Sequence, residues 1–226
     1  MPQPILIFDM DGVLVDVTES YRETICRTVE HFTGRQISRA DIQDYKNQGG
    51  WNDDWKLSHH IIGRCGVDAS FDSVVEYFQS IFHGNGQDGL ILRERWLATD
   101  DLFERLSRLY RLAVFTGREC WEAEFTLRRF APEMRFDPIV GSDCGLPHKP
   151  APDGLVHILK QFSCDKAWYV GDTVDDARCA RGAAVPFIGI ASPANPRHTE
   201  VVKLFQAENA IAILNDINQL EPVLAK

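Results

Sequence analysis

The run Ile5-Leu6-Ile7-Phe8 passes without a break into Asp9-Met10-Asp11-Gly12, and no other stretch limits the fold as much. Four successive apolar residues, with no polar alternation, predict a short strand buried on both faces, as in a parallel sheet covered by helices. Such a strand delivers two carboxylates, one residue apart, at its C-terminal end, where ligands bind in open α/β sheets. Gly12 permits a sharp turn or a close backbone approach. The two acids repel unless a cation lies between them or one keeps a proton. Alone, D-x-D in an acidic chain reads equally well as a solvated strand end. The residues downstream decide.

After Val15 the periodicity changes. Asp16 with Glu19 predicts a capping box, and Val17, Tyr21, Ile25, Val29 and Phe32 follow at helical spacing up to Gly34. Ser38 starts a second helix through Ile42 and Tyr45, and Asn47-Gln48-Gly49-Gly50 reads as a loop. Asp53-Asp54 opens a third helix carrying Trp55, His59 and Ile62. Phe71, Val74, Val75, Phe78, Ile81 and Phe82 form the clearest amphipathic stripe, broken by Gly84, Gly86 and Gly89. Residues 16–90 are therefore expected to be an all-helical insert, with the glycines of its return as a hinge. Strand-like runs then alternate with helical ones: 112–115, 138–140, 167–170, 187–190 and a last edge strand at 210–214, with helices at 102–109, 122–130, 155–162 and 176–181. Residues 191–197 read as a proline-rich surface loop. The expected fold class is α/β: a doubly wound parallel-sheet core (1–15 and 91–226) with an inserted all-helical domain (16–90).

Charge and composition remove several classes of function. Lys and Arg number 24 against 33 Asp and Glu, a net charge of -9, which argues against a nucleic-acid partner. No apolar run approaches the roughly 20 residues that span a bilayer, so no membrane partner is expected. The first residues lack the basic stretch of a signal peptide. Cys26, Cys65, Cys120, Cys144, Cys164 and Cys179 are scattered, with no C-x-x-C pair. Neither a zinc site nor a disulfide framework is expected, and a cytoplasmic location fits. The oligomeric state is not set by the sequence.

Three strand runs end in small or polar residues: Asp9 and Asp11, then Thr116-Gly117, then Gly171-Asp172. Parallel neighbouring strands would bring these to one edge of the sheet, with Lys149 on a loop between the last two. A hydroxyl, a turn, a lysine and several carboxylates suit a phosphate with Mg²⁺, which takes hard oxygen ligands and bridges carboxylate and phosphate oxygens. DMDGVLVD, FTGR, KPAPD and GDTVDD, in that order, resemble the haloacid dehalogenase superfamily, and the helical insert sits where its subfamily I carries a C1 cap.

The resemblance implies a Mg²⁺-dependent phosphatase of subfamily IA acting on a small phosphorylated metabolite. It implies Asp9 as the nucleophile that forms an aspartyl-phosphate and Asp11 as general acid and base. Thr116 and Gly117 would hold the phosphate oxygens, joined by Lys149, which neutralises charge. Asp9, Asp11 (through its main-chain carbonyl) and Asp172 would hold the metal. Asp176 matches the second acid of G-D-x-x-x-D, and Asp175 beside it could serve instead, through water or by orienting Lys149. Asp11 speaks against dehalogenase chemistry, which uses no metal. A phosphonate hydrolase needs a Schiff-base lysine in the insert, and neither Lys46 nor Lys56 is marked as one. A phosphomutase shares all four motifs, and a non-catalytic scaffold protein would be expected to have lost Asp9 or Lys149. Asn47, Gln48 and Trp51, on an amide-rich turn, and Arg118 are the candidates for substrate specificity. A structural connection around a packed Trp51, and a surface salt bridge for Arg118, are the plain alternatives.

Overall fold

The structure is a computed structural model that describes residues 3–99, 101–162 and 166–225; Cys164 lies outside them. The chain forms two compact units, one from residues 1–15 and 96–226 and one from 16–95. The first strand, β1 (Ile5–Phe8), is followed by β2 (Val15–Asp16) and four helices: α1 (Tyr21–Thr33), α2 (Arg39–Gln48), α3 (Asp54–Arg64) and α4 (Phe71–His83). Next come β3 (Arg95–Trp96), α5 (Leu102–Ser107), β4 (Arg111–Phe115), α6 (Cys120–Phe130), β5 (Ile139–Val140) and α7 (Asp153–Gln161). The chain continues through β6 (Ala167–Gly171), α8 (Val174–Gly182), β7 (Phe187–Ile190), α9 (His198–Ala207), β8 (Ala212–Leu214) and α10 (Glu221–Leu224).

Six strands form one sheet in the order β5-β4-β1-β6-β7-β8, and every pair in it is parallel. All four residues of β1 are fully buried. Alternate residues point to opposite faces of a strand. Leu6 and Phe8 accordingly join a core with Phe103, Phe136 and Val170, while Ile5 and Ile7 join another with Phe115, Leu155, Tyr169 and Phe205. The α/β doubly wound expectation therefore holds, and its physical basis is the two-sided burial of β1. Phe8 meets Phe103 edge-on at 5.5 Å and Phe136 at 6.4 Å.

In the unit of residues 16–95, α1 packs on α3 and α4. Tyr21 lies 4.1 Å from Phe82, ring to ring, over a core that includes Ile25, Val29, Leu57, Ile62 and Val74. Gly34, at φ 66°, closes α1 in the left-handed conformation. Ser38 caps α2 in a reciprocal capping box with Asp41, and Asp53 caps α3.

Several boundaries differ from the sequence reading. The Asp16–Glu19 capping box does not form. Asp16 instead accepts the Thr18 amide at 2.9 Å and pairs with Arg95 at 2.5 Å, so α1 begins at Tyr21. Asn47 and Gln48 belong to the last turn of α2, and the loop starts at Gly49, where φ reaches 80°. The return from the insert falls at 95/96, because the 3-10 turn Leu90–Arg93 packs on α1 and α4. Helix α9 follows directly on the proline-rich loop, where the sequence reading has no element, and buries Val201 and Phe205 at helical spacing. Among the described residues no helix is long and apolar enough to cross a membrane.

Truncating Phe8 to Ala should cost about 3–5 kcal/mol of stability, read as a lower urea midpoint. A loss under about 1 kcal/mol, the scale of a surface change, would place Phe8 outside the structural core.

Candidate active site

The register of the sheet assembles the site. Phe8 pairs with Val114 of β4 on one side and with Val170 of β6 on the other. The residues just beyond the strands, Asp9, Thr116 and Asp172, therefore emerge at the same C-terminal edge. The Asp9 amide donates to the Val170 carbonyl at 2.8 Å, and the Thr116 amide to that of Val140 at 3.0 Å. Lys149, on the loop between β5 and α7, reaches this edge and is 4 % exposed. Its Nζ lies 2.9 Å from Asp9 Oδ1 and 2.7 Å from Asp176 Oδ1. It also stands 5.0 Å from the centre of the Phe115 ring and 5.4 Å from that of Tyr169, within range of a cation–π attraction.

Asp176 owes its place to the start of α8. Thr173 caps that helix, and Asp176 is the reciprocal member of its capping box. The Asp176 carboxylate accepts from Lys149 and the Tyr169 hydroxyl on Oδ1 (2.7 Å each), and from the Thr173 amide (3.0 Å) and hydroxyl (2.6 Å) on Oδ2. Gly171 makes this possible, since a Cβ there would stand 2.4 Å from the Asp176 Cβ. Burial would raise the Asp176 carboxyl, but Lys149 and the hydroxyl donors outweigh it and hold it below its ordinary value. Tyr169 and Thr173 are thus part of the site and were missed by motif reading. Asp175 is buried in the same first turn of α8.

Asp11 is held differently. Arg118 donates to Asp11 Oδ1 from Nε at 2.7 Å, and its terminal Nη2 forms an ion-pair contact with the same oxygen at 2.6 Å. Arg118 is 2 % exposed, and its other terminal nitrogen donates to Thr126 Oγ1 at 3.0 Å. Arg118 is thus buried between α6 and the β1 turn rather than on the surface, with its guanidinium against Asp11. The Thr116 hydroxyl accepts the Arg118 amide at 3.2 Å, and Gly117 lies between them in the turn after β4. Asp172 comes so close to the β1 turn that a Cβ at Gly12, where φ is 72°, would stand 2.1 Å from its Oδ2. Gly12 is therefore required sterically as well as conformationally.

Asp9, Asp172 and Asp176 each offer an oxygen within 4.8 Å of the others. Three carboxylates against one ammonium leave excess negative charge in a buried place. Its effect shows at Asp9, whose carboxyl is pushed up to about 7, first by burial and then by Asp176 and Asp11, with Lys149 opposing. Burial would lower Lys149, but Asp176 and Asp9 outweigh it and hold the ammonium protonated well above its ordinary range. An all-oxygen donor set with surplus charge fits a hard divalent cation such as Mg²⁺. With both Asp176 oxygens saturated by donors, Asp9 and Asp172 are the carboxylates suited to it.

The specificity candidates of the insert lie in the helical unit. Gln48 is exposed, with its amide donating to the Asp44 carbonyl at 3.1 Å. Asn47 accepts from Gln43 at 2.8 Å. Trp51 is half-buried, its ring 4.4 Å from that of His60 and 5.8 Å from that of Tyr45. Lys46 is buried and paired with Asp54 at 2.5 Å.

Residues 6–190 match the family model of haloacid dehalogenase-like hydrolases, and the chain belongs to that family. It is 33 % identical over 204 residues to an imidazoleglycerol-phosphate dehydratase of Phytophthora nicotianae, covering 85 % of this chain but only 44 % of that longer protein. It is 23 % identical to a phosphoglycolate phosphatase of Colwellia psychrerythraea, covering 82 % of this chain and 83 % of the relative. Among solved structures, a haloacid dehalogenase-like hydrolase of Streptococcus pneumoniae superposes with a TM-score of 0.74 at 20 % identity, covering 99 % and 97 % of the two chains.

The Asp9 shift has a measurable sign. An acid whose carboxyl is raised in the folded state holds a proton there that the unfolded chain has lost. Its contribution to stability is thus full below about pH 4 and is lost as pH rises through about 7. With chelator present, the melting temperature should fall between these values more steeply in the wild type than in Asp9→Asn. Adding Mg²⁺ at pH 8 should recover more stability in the wild type than in the variant. Parallel pH curves for the two proteins would contradict a raised Asp9 carboxyl in the folded chain.

Proposed function

We propose that this protein is a divalent-cation-dependent phosphatase that hydrolyses a small phosphorylated metabolite through an aspartyl-phosphate on Asp9. The observation that carries this reading is Asp9 itself: a buried carboxylate at the central strand's end, 2.9 Å from a buried lysine and beside Thr116. The phosphatase names of several relatives support it. The free thiols of the described cysteines suit a reducing compartment, and the reading places the enzyme in the cytoplasm.

An oxygen of Asp9 attacks phosphorus and the bond to the ester oxygen breaks, while Asp11 passes a proton to the departing alkoxide. Water then attacks the phosphorus, giving its proton to Asp11, and the Asp9–phosphorus bond breaks to release phosphate. Lys149 neutralises charge on Asp9 and on the equatorial oxygens, and the Thr116 hydroxyl and Gly117 amide orient those oxygens. Asp176 and Tyr169 hold Lys149, and Arg118 fixes where Asp11 stands between the two proton transfers. A bound Mg²⁺, held by Asp9, Asp172 and the main-chain carbonyl of Asp11, would screen the repulsion between nucleophile and phosphate.

The core residues address only the phosphoryl group, so choice among phosphomonoesters needs groups elsewhere. We assign it to the insert, with Asn47, Gln48 and Trp51 as the residues to test.

Phosphate release from a panel of phosphorylated metabolites should require Mg²⁺ or Mn²⁺ and stop on chelation. Asp9→Asn should abolish it while the fold persists, and Asp11→Asn should lower it by roughly 10²–10⁴-fold. Full activity in Asp9→Asn would overturn the nucleophile, and a transferred phosphoryl group in place of free phosphate would assign mutase chemistry.

Gln48→Ala or Trp51→Ala should reduce kcat/KM for the best substrate by roughly 5- to 150-fold, the scale of one buried unmatched polar group. Hydrolysis of p-nitrophenyl phosphate should change little. Equal losses on both substrates, or none, would make the turn structural.

A further inference from the structure

Cys120 is the first residue of α6, and Cys144 closes the 3-10 turn Ser142–Cys144 that follows β5. They are 24 residues apart in sequence, yet their sulfurs lie 3.4 Å from each other. Asp143 completes the group, so that one ligand atom from each of the three lies within 4.8 Å of the others. We propose that Cys120, Asp143 and Cys144 form a binding site for a thiophilic divalent cation of the Zn²⁺ class, distinct from the carboxylate site around Asp9.

The main chain builds this arrangement before any cation arrives. The Cys120 amide donates to Asp143 Oδ1 at 2.9 Å, and the Ser142 amide donates to the Arg118 carbonyl at 2.8 Å. The two segments touch through Gly141, where a Cβ would stand 2.6 Å from the Arg118 oxygen and 2.8 Å from the Cys120 nitrogen. Only glycine allows so close an approach. Cys144 and Asp143 are exposed, so a cation has access and water can take the fourth position.

Distances favour a cation over a disulfide. Two thiolates on one tetrahedral zinc, at Zn–S of about 2.3 Å, stand about 3.8 Å apart, an opening of roughly 0.4 Å from the observed 3.4 Å. A disulfide needs about 2.05 Å, a closure more than three times as large. Two sulfurs and one carboxylate suit Zn²⁺ or Cd²⁺ and not Mg²⁺. The sequence expectation of no zinc site rested on the lack of C-x-x-C, and the proximity of the β5 turn to α6 supplies the pair instead.

The test is titration of the full chain, kept reduced with a phosphine and saturated with Mg²⁺, with Cd²⁺ as probe. A sulfur-to-cadmium charge-transfer band in the near ultraviolet should saturate at one equivalent, and Zn²⁺ should bleach it. Carboxylates cannot give that band, so the site around Asp9 does not interfere. The band should disappear in Cys120→Ser and in Cys144→Ser, the latter being exposed and safe for folding. It should persist in Cys65→Ser, and need more Cd²⁺ in Asp143→Asn. Absence of a band at stoichiometric Cd²⁺, or a band that survives in Cys144→Ser, would overturn the proposal. So would a Cys120–Cys144 disulfide in air-purified protein whose reduced form takes up no cation.

Discussion

Lys149 between Asp9 and Asp176 is the interaction on which the core unit depends. A buried ammonium carries a desolvation penalty of several kcal/mol unless charge and hydrogen bonds surround it. Here two carboxylates flank it, and two aromatic rings present their faces to it. Asp176 serves because it is itself saturated by Thr173 and Tyr169. The requirement spreads outward: α8 has to start at Thr173, residue 171 has to be glycine, and Tyr169 has to direct its hydroxyl inward from β6. A network of this kind is worth most when every member is satisfied. It fixes the Asp9 carboxylate and its counter-charge in one buried place.

The D-x-D pair is tolerated because its two acids have separate cationic partners. Asp9 faces Lys149, and Asp11 faces Arg118. The β1 turn, shaped by Gly12, sends the two carboxylates to different neighbours although they are one residue apart. Arg118 then links Asp11 to α6 through Thr126. The position of Asp11 is thereby tied to a helix that otherwise packs on the sheet.

Much of this was legible in the sequence, for physical reasons. Four consecutive apolar residues running into Asp and Gly read as a strand covered on both sides, and the alternation of such runs with helical ones set the sheet class. The helical insert followed from the change of period after Val15 and from the caps at Ser38 and Asp53. Asp9, Thr116, Lys149 and Asp172 could be picked out because they end strands or stand alone on a loop. Features set by tertiary partners could not. Asp16 meets Arg95, 79 residues away, and gives up its predicted capping role. Asn47 and Gln48 carry amides that read as loop, yet α2 continues through them to Gly49. Arg118 is indistinguishable from a surface arginine until Asp11 and Thr126 are placed beside it. Nothing local singles out Tyr169, because a tyrosine in an apolar strand reads as core, and its hydroxyl finds Asp176 only across the turn into α8. The choice between Asp175 and Asp176 likewise needed the helix phase that the Thr173 cap sets.

The central place of β1 has a consequence for biogenesis. The strand leaves the ribosome well before its neighbours β4 and β6, which lie more than 100 residues later. Until they arrive, Ile5-Leu6-Ile7-Phe8 is an apolar segment with both edges unpaired, the kind of strand that associates with other chains. Charged residues flanking such a segment discourage that association. Asp9 and Asp11 follow the segment directly and supply two such charges. One pair of carboxylates would then act first against aggregation and afterwards in the finished site.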